Sequence, residues 1–230
     1  MLGFFNHRIK LVTLLTALSL GLAACASGPK VPTSEALVTE AVETLNILKN
    51  RADLESFNAQ LKRAAGVAIF PSVYKAGFFV GAEGGNGLMI GRDEKGNWGY
   101  PAFYTLASAS WGLQFGGQKS GVVFIIRRPG AVEALMKHQG KVSADANVAA
   151  GKIGTGLEAS VTTNFGPDII AYSDSKGLFA GASLEGSAMV RRNDLNSEYY
   201  GGKVEPRAIL IDLAHQNAQA DALRRSLVVQ

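Results

Sequence analysis

Apolar residues recur at helical spacing behind Ser34, at Leu37, Ala41, Leu45, Leu48 and Ala52, and this spacing predicts a helix that Ser34 caps and Glu35 begins. A continuation carries Phe57, Leu61, Ala64 and Ala65, with Gly66 as the expected stop, so the first helical region spans about residues 35–64. Its polar face holds Glu35, Glu40, Glu43 and Glu55, too acidic for a helix lying on an anionic membrane, so the stripe is expected to face a core. Past Gly66 the pattern changes to short β-branched and aromatic runs broken by glycine: residues 67–70, 77–82, 88–90, 111–116, 122–126, 169–172 and 178–184. These are the predicted strands, and Asp93-Glu94-Lys95-Gly96-Asn97 reads as a hairpin turn between two of them. Further helices are expected over 130–138 and, from the apolar positions Ile209, Leu210, Leu213, Leu223 and Leu227, over 206–227.

The chain of 230 residues holds 27 glycines, well above the usual level of about 7%. Glycine at that density within strands implies bends, bulges or close backbone approach. The expected fold is therefore α+β, with a predominantly antiparallel, glycine-rich curved sheet or small barrel and N-terminal, middle and C-terminal helices. A short echo links Lys75-Ala76-Gly77-Phe78-Phe79-Val80-Gly81-Ala82 with Lys176-Gly177-Leu178-Phe179-Ala180-Gly181-Ala182. Two similar hairpins within one domain, or chance likeness between glycine-rich strands, would each produce it.

The start of the chain reads differently. His7, Arg8 and Lys10 precede an apolar stretch over 11–22, and small residues lead to Cys25, the layout of a secretory signal. The stretch is about a dozen residues, where a transmembrane helix needs about 20. Leu22-Ala23-Ala24-Cys25 resembles the lipobox of bacterial lipoproteins. That resemblance implies a signal peptide over 1–24, lipidation of Cys25, and a tether over 25–33. The cysteine is the only one in the chain, which leaves no disulfide framework and no spare thiol. Ala26 in place of an aspartate implies an outer-membrane anchor facing the periplasm.

Charge excludes little beyond nucleic acid. The 23 basic and 19 acidic residues include Arg8 and Lys10 of the leader, so the chain after the leader is close to neutral and is not a nucleic-acid binder by composition. Motifs for catalysis fail on spacing: Gly151-Lys152-Ile153-Gly154-Thr155-Gly156 is not a dinucleotide fingerprint, and Gly116-Gly117-Gln118-Lys119-Ser120 lacks the order of a phosphate loop. His7, His138 and His215 form no metal pattern, and no cofactor or metal is expected. Asp145, Glu158, Asp174 and Glu185 are the carboxylates that a spatial acid/base pair would have to use. Lys75 and Lys176 in the echoing strands, with Arg127, Arg128, Arg191 and Arg192 at strand ends, are the candidate contacts for phosphate oxygens. Blunting of sheet edges is their alternative role. Trp98, Tyr100, Tyr104 and Trp111 are read as core residues before interfacial ones.

Several motifs in order carry a more specific likeness. Ala65-Gly66-Val67-Ala68-Ile69-Phe70-Pro71-Ser72, Lys75-Ala76-Gly77-Phe78, Pro101-Ala102-Phe103-Tyr104, Gly112-Leu113-Gln114-Phe115-Gly116 and the stretch from Tyr172-Ser173-Asp174 to Glu185-Gly186 resemble the SYLF lipid-binding domain family. Asn193-Asp194 and Tyr199-Tyr200-Gly201 resemble its closing segment. The resemblance implies a lipid-binding domain over 34–230, without catalysis, and phosphoinositide recognition in eukaryotic members. The expectation is an anchored envelope protein that binds phospholipid or another apolar ligand. A structural or protein-partner module is the alternative, and a lipid or cell-wall hydrolase the minor one.

Overall fold

The structure is a computed structural model and describes residues 32–51, 54–77, 80–111, 118–137, 148–150, 168–174 and 187–229. Thr33–Gln230 is one compact unit, and it holds two apolar cores among the described residues.

Helix α1 (Ser34–Lys49) opens the fold. Its cap is Thr33, whose hydroxyl accepts the Ala36 N–H at 3.2 Å. The expected cap, Ser34, is instead the first helical residue and points its hydroxyl at Glu198. Glu35 and Lys49 sit at the ends where the helix dipole favours their charges. The predicted continuation is a separate helix, α2 (Glu55–Lys62). It ends four residues before Gly66, which is the first residue of β1 and not a helix stop. A Cβ at Gly66 would stand 2.8 Å from Val132 Cγ2, so close packing and not helix termination requires the glycine.

The strands are β1 (Gly66–Gly77), β2 (Val80–Gly91), β3 (Ala102–Trp111), β4 (Gln118–Ile126), β5 (Val148–Ala150), β6 (Ile169–Ser173) and β7 (Ala188–Arg191). They form one sheet in the order β5-β6-β4-β1-β2-β3-β7, antiparallel except for the β5–β6 pair. Among the described residues the sheet is open, so the curved-sheet expectation holds and the barrel does not. The predicted strand over 77–82 is corrected: Gly77 pairs with Gly81, so the chain reverses between them. The predicted 178–184 strand and the Lys176 echo lie outside the described residues.

Glycine density has a specific cause in β2. Between Phe70 and Val73 strand β1 holds one residue more than its neighbours, a bulge at Pro71-Ser72. Proline inside a central strand is tolerated at such a bulge because it has no N–H to give to the ladder. The bulge pushes backbone toward β2, where a Cβ at Gly85 would lie 2.1 Å from the Ser72 carbonyl oxygen and one at Gly87 2.2 Å from that of Ile69.

Alternation along the strands sorts the core into two layers. Val67, Ile69, Leu88, Ile90, Phe103, Val123 and Ile125 pack under α1 and α2. Ala68, Phe70, Met89, Tyr104, Phe124 and Ile126 face the other way, toward α3 (Pro129–Lys137) and α5 (Pro206–Leu210). This explains why the long C-terminal helix expected over 206–227 is broken. Ile209 and Leu210 belong to the second layer, whereas Leu223 and Leu227 of α6 (Asp221–Ser226) and its cap belong to the first. One straight helix cannot serve both faces, and the chain turns at Leu213 (φ 49) and through a 3₁₀ turn at Ala218–Ala220.

Helix α4 (Asn193–Tyr200) was absent from the sequence expectations. It ends at Gly201 in the left-handed conformation (φ 72), with Gly202 N–H donating to the Ser197 carbonyl. Its buried Asn196 works as a piece of backbone. The side-chain oxygen accepts the Phe103 N–H at 2.9 Å, and the amide donates to the carbonyls of Arg192 at 2.8 Å and Phe103 at 3.3 Å. The hairpin over 93–97 forms as expected, with an Arg92–Trp98 bridge closing it.

Candidate functional site

The structure separates the cations singled out from the sequence. Cys25 and Lys176 lie outside the described residues. Lys75 stands near the end of β1, directly opposite buried Glu83 of β2. Arg127 and Arg128 leave β4 at the other end of the sheet. The nine-residue length of β4 puts Lys75 about 27 Å from them.

Arg191 and Arg192 end β7, four strand positions from β4, or about 19 Å. Both are engaged: Arg191 donates to Glu205 at 3.1 Å, and Arg192 forks onto Asp194 while also reaching Asn86. The fork holds the Asp194 carboxyl down to about 2. The five candidates among the described residues therefore form no single site. Arg127 and Arg128 are exposed, and Arg128 pairs with Asp168.

What the fold does assemble is a cationic end. Ala65 N–H donates to the Ile126 carbonyl and Arg92 N–H to the Ala65 carbonyl, both at 2.8 Å. These bonds stitch the ends of β4, β1 and β2 side by side, so Arg127 and Arg92 leave the strands on either side of β1, and Arg63 lies three residues before β1 begins. Lys62 and Arg63, at the end of α2, are exposed. Arg92 donates to the Lys62 and Gly96 carbonyls, each at 2.8 Å, and lies over the Trp98 ring at 5.2 Å. Lys95 is exposed at the tip of the neighbouring hairpin. Asp93 caps that hairpin: the Asn97 side chain and backbone N–H both donate to it and hold its carboxyl below the usual range.

Helix α6 adds Arg224 and Arg225 to the same corner. Arg224 stacks on Tyr100 at 4.4 Å and donates to the Trp98 carbonyl at 3.0 Å, the Tyr100 hydroxyl at 3.0 Å and Asp221 at 3.2 Å. Arg225 is exposed and forms no ion pair among the described residues. Between the hairpin and α6 lies an open cleft of about 370 Å³, lined by Gly96, Asn97, Trp98, Asp221, Arg224, Arg225 and Val228. Sequence reading missed this corner because four separate segments build it. The signal was present: Lys62-Arg63, Arg127-Arg128 and Arg224-Arg225 are dibasic pairs at the ends of elements, and only the middle one was singled out.

Elsewhere the polar groups are structural. Asp174 accepts the Gly121 N–H at 2.8 Å, and Arg51 donates to the Ser173 and Asp174 carbonyls, which fixes the exit of β6. The other carboxylate candidates, Asp145, Glu158 and Glu185, lie outside the described residues, as does His138. His215 packs against Tyr200, ring centroids 5.5 Å apart and planes tilted by 55°. Burial pushes the hydroxyls of Tyr104, Tyr199 and Tyr200 far above their ordinary range. Trp98 and Tyr104 are core residues as expected. Among the described residues no three His, Cys, Asp or Glu side chains gather as metal ligands, and no helix is long and apolar enough to cross a membrane.

Comparison with known proteins gives one consistent result. The family model Ysc84, described as Las17-binding protein actin regulator, matches residues 107–229. SH3 domain-containing YSC84-like protein 1 of Rattus norvegicus is 34% identical over 202 residues, which cover 84% of this chain and 59% of that protein. Protein YSC84 of Saccharomyces cerevisiae is 36% identical over 171 residues, 73% of this chain and 36% of the relative. LAS seventeen-binding protein 3 of the same yeast is 35% identical over 171 residues and 37% of its length. The chain thus spans less than two thirds of the relatives it matches.

Proposed function

Because this chain belongs to the Ysc84 family, whose SYLF motifs it carries, we propose that it is a non-enzymatic binding module of the cell envelope. In this reading Cys25 is acylated, anchors the protein in the outer membrane facing the periplasm, and the domain meets anionic phospholipid. The observation that carries the proposal is the convergence of Lys62, Arg63, Arg92, Arg127 and Arg225 on one end of the sheet. Each cation near an anionic surface contributes about 1 kcal/mol, so several exposed ones acting together suffice for association. A single acyl chain holds a protein only marginally, whereas the several chains of a mature lipoprotein hold it firmly. The cationic end then acts on a protein already at the bilayer, selecting its orientation and lipid neighbours.

A protein-partner module is the second reading, favoured by the names of the yeast relatives. Membrane fractionation of the wild type and Cys25→Ser, with mass spectrometry of the N-terminus, tests the anchor. Co-sedimentation of residues 26–230 with phosphatidylglycerol and with phosphatidylcholine vesicles tests the lipid preference. Stronger binding to the anionic vesicles is expected. Equal binding to both, or capture of an envelope protein without vesicle binding, favours the second reading.

A further inference from the structure

We infer that the cleft between the 93–97 hairpin and α6 is a site for one phosphate group carried on an apolar stem. The inference rests on the membrane reading and names the contact a lipid would make. Two arginines in the cleft have different tasks. Arg224 is fully committed, by its stack on Tyr100 and its bonds to the Trp98 carbonyl, the Tyr100 hydroxyl and Asp221. It neutralises Asp221, the one carboxylate among the described residues that line the cleft, and fixes the wall. Arg225 is exposed, has no ion pair among the described residues, and keeps its planar fork for an incoming oxyanion.

The apolar half is also built. Trp98 is held by Arg92, whose guanidinium lies 5.2 Å from its ring centroid. Val228 is 58% exposed, and its carbonyl, with that of Ser226, is tied to Lys49 Nζ at 3.1 and 2.8 Å. An exposed valine beside an uncommitted arginine, both on a braced wall, suits a ligand with a charged head and a hydrocarbon stem. Bracing lowers the ordering cost of binding. The volume of about 370 Å³ falls within the range of small-ligand sites and accommodates a glycerophosphate head with the start of its chains.

Trp98 is a direct reporter, since Trp111 is the only other tryptophan. Residues 26–230 carrying Trp111→Phe are titrated with dihexanoyl phosphatidylglycerol below its micelle concentration, with glycerol phosphate, with inorganic phosphate and with hexanoate, reading Trp98 emission. A saturable change is expected with the short-chain lipid, at least tenfold weaker with glycerol phosphate, inorganic phosphate and hexanoate. Arg225→Gln should weaken lipid binding tenfold or more. Val228→Ser should remove most of the advantage of lipid over glycerol phosphate. Unchanged affinity in Arg225→Gln with an unaltered melting curve, or hexanoate binding as well as the lipid, overturns the inference. Vesicle binding separates the two claims: if Arg225→Gln still prefers phosphatidylglycerol vesicles while no protein binds the short-chain lipid, the cleft fails and the membrane reading stands. Short-chain lipid binding without any vesicle preference upholds the cleft and overturns the membrane reading.

Discussion

Asn196 offers the sharpest test of how the fold is held. It is completely buried on α4 and joins that helix to the start of β3. Asn196→Leu keeps the volume, so the cavity contribution is small and the polar one dominates. The Phe103 and Arg192 carbonyls keep other partners, since Arg192 N–H donates to Phe103 and Asn196 N–H to Arg192, each at 3.0 Å. The Phe103 N–H loses the acceptor the side chain supplies at 2.9 Å. A buried donor left without a partner costs about 1–3 kcal/mol, and the two amide bonds lost with it about 0.5–1.5 kcal/mol each. Added burial of the leucine offsets part of this, so the expected loss is about 2–4 kcal/mol. In a domain of this size each kcal/mol lowers Tm by about 2–4 °C, which gives a drop near 10 °C. Urea unfolding and calorimetry of residues 26–230 measure it. A loss under about 0.5 kcal/mol, as for an ordinary surface change, would refute the view that this amide completes the sheet.

Gly87→Ala places a methyl 2.2 Å from the Ile69 carbonyl oxygen and 2.5 Å from the Phe70 ring and should cost about 1–3 kcal/mol, whereas Gly130→Ala, with nothing within 4 Å, should be neutral or slightly stabilising in the same thermal assay. The Asp194 carboxyl should titrate near 2 by NMR, and Arg192→Gln should return it toward 3.8. Because the folded value is the lower one, the stabilisation is complete above about pH 4 and is lost as pH falls toward 2; the side chain is 63% exposed, so the effect on stability is small. Cys25→Ser should release the protein from the membrane fraction and leave no acylated N-terminus, since no other thiol exists.

The sequence announced elements better than it announced their partners. Continuous apolar runs such as Val67-Ala68-Ile69-Phe70 and Val122-Val123-Phe124 marked strands correctly because they are buried on both faces. The glycine content pointed to close backbone approach, and Gly85 and Gly87 against the bulge are that approach. Helix α4 was hidden because Asn193-Asp194-Leu195-Asn196 is polar, and its key side chain substitutes for backbone in place of packing. Leu195 and Tyr199 at i, i+4 before Gly201 were the readable signal. The break between α5 and α6 was invisible because periodicity reports that residues are apolar and not which face of a sheet they cover. The site shows the same limit. Dibasic pairs can be read from the chain, but the meeting of Arg63, Arg92, Arg127 and Arg225 depends on strand order, which local pattern does not encode.

Whether this shared end of the sheet meets anionic lipid is decided by vesicle binding of residues 26–230 carrying Lys62→Glu, Arg63→Glu and Arg127→Glu together. The variant is measured beside Lys75→Glu, a control at the opposite end, over a range of salt. Wild type and control should bind phosphatidylglycerol vesicles alike and lose affinity as the screening length shortens to about 8 Å near physiological salt. The triple variant should lose most of its low-salt affinity and nearly all of its salt dependence while melting normally. Equal binding and equal salt dependence of the triple variant and wild type would contradict a lipid-facing role for this end.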